Sequence, residues 1–157
     1  MTIEEIAAGL GKELGIGLNV VDDSFAMDFG GMPFVVMRLD GERGEMLTVA
    51  CDLGEIPPQS PGKLYEALLN ANWAYRGAAG AVLARNPGDG HIWLQDSLPF
   101  ASLRVEDLLK RIEALGGAIS SWRKVIADYR EAVESSAGEA PDLPQDMMMA
   151  SGMFMSV

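Results

Sequence analysis

Apolar residues recur at helical intervals near both ends of the chain and at strand intervals between them. Ile3, Ile6, Leu10 and Leu14 fall on one side of a helix predicted over Thr2–Leu14. Thr2 and Glu5 have the spacing of a capping box, and Gly15 and Gly17 end the helix. Ser24–Phe29 then alternates, with Phe25, Met27 and Phe29 on one face and Ala26 and Asp28 on the other. Gly30–Gly31 is a two-residue hairpin signal, because both positions of such a turn can need positive φ. It predicts a returning strand over Met32–Leu39 in which Phe29 faces Met32, Met27 faces Phe34 and Phe25 faces Val36. Val35, Met37 and Leu39 make the other face of that strand apolar as well. A polar turn over Asp40–Gly44 leads to a third strand, Glu45–Leu53.

The stretch Ser60–Trp73 has the marks of a helix start. Ser60 is placed to cap, and Pro61 suits the first helical position because its missing N–H needs no partner. Leu64, Leu68, Leu69, Ala71 and Trp73 then leave only Lys63, Glu66, Asn70 and Asn72 for water. Either this is a central core helix, or a second subunit covers the side that its own domain leaves bare. Gly77–Gly80 breaks it. A hairpin follows, Ala81–Arg85 and His91–Gln95 around the turn Asn86–Gly90. Ser102 is placed to cap a last helix, with Glu106 and Asp107 at its positive end. That helix carries the most regular seam of the chain, from Val105 through Leu108, Ile112, Leu115, Ile119, Trp122, Ile126 and Tyr129 to Val133. Gly116–Gly117 is predicted to kink or split it.

The order helix, three strands, helix, two strands, helix gives an α+β class, with a five-stranded antiparallel twisted sheet and three helices. Residues 1–133 form one domain in this reading, and 134–157 an acidic, Met-rich extension. Glu131–Val157 holds five acids and no Lys or Arg, and Ser135–Gln145 reads as a linker. The methionines at 147–149, 153 and 155 with Phe154 suit adaptable apolar contacts, so the segment is either a frayed end or the occupant of an apolar groove.

Composition narrows the functional classes. At 157 residues there is room for one domain with a real core. A net charge of −11 argues against nucleic acid and anionic membrane as partners. No apolar run is long enough for membrane insertion, and the N-terminus carries acids where a secretory signal is positive. A single cysteine, Cys51, fits a reducing cytoplasm.

Candidate chemistry is sparse. His91 is the only histidine, and with Cys51 it supplies neither a metal cluster nor a nucleophile with its base. Cys51, between Ala50 and Asp52 in a strand, reads as a small buried hydrophobe. Ser120–Ser121 lacks a nucleophile elbow, and the carboxylates at Asp22–Asp23 and Asp40–Glu42 read as solvated loops. The glycines of residues 9–17 miss the G-x-G-x-x-G spacing, and no strand precedes them. The reading is therefore a non-enzymatic protein without metal or cofactor. An enzyme or ligand carrier would instead show a polar pocket around His91 or Cys51.

Several stretches carry a family likeness: the leading helix through Leu10 and Leu14, Phe34–Leu39, LTVACDLGEIPP (Leu47–Pro58), LLNANW (Leu68–Trp73) and LQDSLPFASL (Leu94–Leu103) ahead of a helix holding Trp122. In these, over about residues 1–130, the chain resembles the class I type III secretion chaperones, the Tir-chaperone-like family. The resemblance implies a cytoplasmic bacterial homodimer, associated with virulence, that binds the N-terminal segment of a secreted effector in extended form and keeps it secretion-competent. It implies a dimer interface at Leu64, Leu68, Leu69, Asn72, Trp73 and Val82. The implied effector contacts are Ile3, Ile6 and Leu10 of the first helix with Phe25, Met27, Phe34, Val36 and Met37 of the meander. An adaptor or regulatory module on the same fold, without a secretion role, is the alternative, and there the Met-rich tail would fill the client groove.

Overall fold

A computed structural model describes residues 1–42, 44–59 and 61–136. The Ser60 cap and the Met-rich extension fall outside the described residues, the latter except for its first three.

Helix α1 spans Ile3–Leu14. Its capping box is formed: the Glu5 N–H donates to Thr2 Oγ1 at 3.3 Å, and the Thr2 N–H donates to Glu5 Oε2 at 2.7 Å. Two otherwise orphaned donors are thereby satisfied, an arrangement worth about 1 kcal/mol. Gly15, in the left-handed region, stops the helix.

Strands β1 (Ser24–Phe29), β2 (Met32–Gly41) and β3 (Gly44–Glu55) form the meander. Both turn glycines, Gly30 and Gly31, have positive φ, and the Gly31 N–H donates to Asp28 Oδ1 at 2.9 Å. The register follows from that turn, with Phe29 opposite Met32, Met27 opposite Phe34 and Phe25 opposite Val36. The second hairpin is tighter than the polar run suggests, because Gly41 and Gly44 pair and so draw Asp40 and Glu45 into the ladder. Leu47 through Cys51 of β3 are all buried, so this strand is covered on both faces.

Helix α2 covers Gly62–Asn72. Pro61 has helical dihedrals and its carbonyl accepts the first helical bond, from the Tyr65 N–H at 3.0 Å. A 3₁₀ turn, Trp73–Tyr75, follows at once, with Ala74 and Tyr75 at positive φ. The helix thus ends well before Gly77. The glycine serves a different purpose: its N–H donates to the Ala71 carbonyl, and a Cβ there would lie 2.4 Å from that of Ala71.

Strand β4 is Val82–Arg85 and β5 is His91–Pro99. β5 runs past the predicted end at Gln95. Thr48 and Ser97 hydroxyls bond at 2.8 Å, and Arg111 Nε donates to Asp96, so the polar side chains of this last part of the strand are satisfied by tertiary partners. The sheet is open and antiparallel, in the order β1-β2-β3-β5-β4, with β1 and β4 at its edges.

Helix α3 spans Val105–Ser135. Ser102 does not cap it. Ser102 closes a 3₁₀ turn with Phe100, Leu103 is extended, and the Arg104 carbonyl accepts from the Asp107 and Leu108 N–H groups. The Gly116–Gly117 pair does not split the helix, which runs from Val105 to Ser135 as one element.

Contacts divide the described residues into two compact units, Met1–Cys51 with Gln95–Gly116, and Asp52–Leu94 with residues 117–136. In the first, Ile6, Leu10, Phe34, Val36, Leu108, Ile112 and Leu115 are fully buried, and Arg38 lies over the Phe100 ring at 5.5 Å. In the second, Leu64, Ile92, Leu94 and Ile119 are fully buried. There α2 packs on β4, and Trp122 Nε1 donates to the Gly77 carbonyl at 2.7 Å.

Candidate functional site

The apolar surface of the second unit centres on the end of α2. Leu64, Leu68 and Ala71 turn inward, while Leu69 is 71% exposed, Trp73 70% and Tyr75 61%. Large apolar side chains at such exposure lose roughly 25 cal/mol for each Å² of apolar area they leave in water. Of the residues implied at a dimer interface, Leu69 and Trp73 are thus open to a partner. Leu64 and Leu68 support the helix from below, and Val82 is half-buried on the edge strand β4. Asn72 is held within the chain itself, where it bonds both main-chain groups of Leu83. Tyr75 escaped sequence reasoning because its side chain is brought outward by a left-handed backbone that no glycine announces.

In the first unit the two faces of the meander differ. Ile3, Ile6, Leu10, Phe25, Met27, Phe34 and Val36 are all buried. Seven of the eight implied effector contacts are therefore core, closed to a partner's side chains in this conformation. The reason is the period of the strand: the alternation that suggested a sticky face is the same alternation that fills a core. Met37, the eighth, points the other way with Val35, Leu39 and Met46. All of these are half-buried except Leu39, which is 47% exposed, and Leu39 stands opposite Met46 in the ladder. β1 beside them is an edge strand: at its start the Ser24 N–H and C=O bond Val21, and among the described residues no strand lies along the rest of its outer side.

The residues with chemical potential are few. His91 Nδ1 lies 2.8 Å from Asp52 Oδ2, and Arg123 donates from Nε and Nη2 to the Asp52 carbonyl at 3.0 and 2.9 Å. The bond to the Asp52 carboxylate raises the His91 pKa above the ordinary imidazole value, against the opposing effect of desolvation. Cys51 is fully buried. Among the described residues no group of three His, Cys, Asp or Glu is placed to hold a metal ion, and no helix is long and apolar enough to cross a membrane.

Comparison with known proteins places this geometry. Residues 5–123 match the family model described as the Tir chaperone protein (CesT) family. No curated protein matches the sequence. Solved structures share the fold at low identity. One is a chain of the heterodimeric ExoU–SpcU complex from the type III secretion system of Pseudomonas aeruginosa, with a TM-score of 0.60 and 21% identity, covering 77% of this chain and 97% of that one. Another belongs to the HopA1–SchA chaperone–effector complex, with a TM-score of 0.58 and 18% identity over 77% of this chain and 92% of the other. A third, from the ExsC–ExsE complex, has a TM-score of 0.63 at 13% identity, over 79% and 92%. The family match runs from the first turn of α1 well into α3, and on that basis the chain belongs to the Tir chaperone protein family.

Proposed function

We propose that this chain is a cytoplasmic, non-enzymatic chaperone of type III secretion. It acts as a homodimer, binds the N-terminal segment of a secreted effector in extended form, and keeps it soluble and competent for export. The observation that carries the reading is the exposure of Leu69, Trp73 and Tyr75 on one short stretch of a Tir-family chain. Covering them with a second copy removes the largest apolar side chains of this stretch from water.

The client surface follows from the meander. An extended segment gains main-chain hydrogen bonds at the edge of β1 beyond Ser24, and apolar residues flanking the paired stretch bury against Met37, Val35, Leu39 and Met46. Ile3, Ile6, Leu10, Phe25, Met27, Phe34 and Val36 act through the shape they hold, as the packed floor that fixes this edge. Work of this kind needs no nucleotide. Binding competes with the client's own folding and aggregation by mass action.

Co-expression with N-terminal segments of type III secreted proteins from the same organism tests the reading. A segment that co-purifies, keeps the narrow amide dispersion of an unfolded chain, and is lost in the Leu39→Asp variant supports it. Segments that stay unbound, or that bind only once folded into globular form, contradict it.

A further inference from the structure

The second unit contains a cavity of about 230 Å³ that neither the dimer surface nor the client edge uses. One wall is the Pro57–Pro58 run with Pro61 and Tyr65, and the other is the end of β4 with the turn into β5. Both walls are stiff. Proline rings fix the first. In the second, Asn86 Nδ2 donates to Asp89 Oδ2, Asn86 Oδ1 accepts from the Gly88 N–H, and Asp89 Oδ1 accepts from the His91 N–H at 2.8 Å. Three charges line the space: the carboxylates of Glu55 and Asp89 and the guanidinium of Arg85. Arg85 sits across Gly90, where a Cβ would lie 3.1 Å from its Nη2.

We propose that this cavity binds a guanidinium side chain presented by a peptide. Two carboxylates against one cation leave the cavity one negative charge out of balance, and an incoming arginine restores neutrality. The flat faces of Tyr65 and the prolines suit a planar, weakly hydrated cation better than a compact ammonium. The chain's net charge of −11 draws the same kind of ligand toward it from a distance. As a client subsite the cavity rests on the chaperone reading, although its chemistry is open to test without any client.

The test is an amide NMR titration of the full chain with N-acetyl-arginine methylamide, beside the citrulline and lysine analogues and N-acetyl-glutamate. Saturable shifts at Glu55, Ile56 and Gly90 with the arginine probe, weak or absent with citrulline, support the proposal. Glu55→Gln weakens binding by a factor of about two to five, the scale of one exposed charge pair. Arg85→Gln tightens it by removing a like charge, and Tyr65→Leu weakens arginine more than lysine. Three results overturn the proposal: no shifts at the cavity, equal binding of citrulline, or preferential binding of the glutamate probe that Arg85→Gln abolishes. Loss of effector binding with arginine binding intact would overturn the chaperone reading and leave the cavity standing.

Discussion

The side chain of Asn72 closes both main-chain hydrogen-bonding groups of Leu83: Nδ2 donates to the Leu83 carbonyl at 2.9 Å, and Oδ1 accepts from the Leu83 N–H at 2.8 Å. The end of α2 is thereby fastened to the edge strand β4. This bond pair explains why the helix stops at Asn72 and why Trp73 and Tyr75 emerge on a 3₁₀ turn, with positive φ at Ala74 and Tyr75, rather than on a further helical turn. Left-handed backbone at a non-glycine residue costs about 1 kcal/mol or more, and it persists where surrounding bonds fix it.

Asn72→Leu removes both bonds while keeping the side-chain volume. The partly buried Leu83 groups then lack these partners, at a cost of about 1–3 kcal/mol in equilibrium urea unfolding. A loss below about 0.5 kcal/mol, the low end for a single hydrogen bond, would show that the clamp is incidental to the position of α2.

Stability depends on pH through His91. Its folded-state pKa is raised, mainly by the hydrogen bond to Asp52, with Asp89 and Glu55 adding to the effect. The stabilisation is therefore fully present below the unfolded imidazole value, about 6.5, and is lost as pH rises through the higher folded value. His91→Gln should lower the unfolding midpoint most in mildly acidic solution, with the difference from wild type shrinking toward alkaline pH. Because His91 is the only histidine, its ring protons report the titration directly by NMR. A titration midpoint at or below the ordinary value removes the basis for this dependence.

Two glycines should respond oppositely to alanine. At Gly77 the new Cβ meets Ala71 Cβ at 2.4 Å and its Cα at 2.6 Å, so backbone must move, at about 1–3 kcal/mol. At Gly117, inside α3, nothing lies within 4 Å, and the helix gains about 0.5–1 kcal/mol. Urea unfolding of the two variants side by side reads both signs, and a destabilised Gly117→Ala contradicts the unbroken helix.

How much of this was legible in the sequence depended on the range of the interaction. The Gly30–Gly31 turn and the alternation around it fix a register over a dozen residues, so the pairs from Phe25 to Val36 could be read directly. The Thr2–Glu5 box is local in the same way. The end of α2 was not legible, because its determinant lies eleven residues away at Leu83. Nor was the length of β5, whose polar Asp96 and Ser97 find their side-chain partners far away in the chain, at Arg111 and Thr48. The hardest distinction was between core and contact. Phe34 and Leu39 are equally apolar in the sequence, yet one is 1% exposed and the other 47%. Which face receives cover is decided by elements far away in the chain, and periodicity carries no sign for it.

The proposed function turns on the association of two copies through Leu69, Trp73 and Tyr75. Light scattering coupled to size exclusion, on wild type and on Leu69→Asp and Trp73→Asp, reads that association as a mass. Twice the chain mass is expected for wild type, and a folded species of single mass for each variant. Their circular dichroism should match wild type, since the replaced side chains are exposed within one copy. A wild-type monomer, or variants that remain dimeric, would contradict the proposed interface.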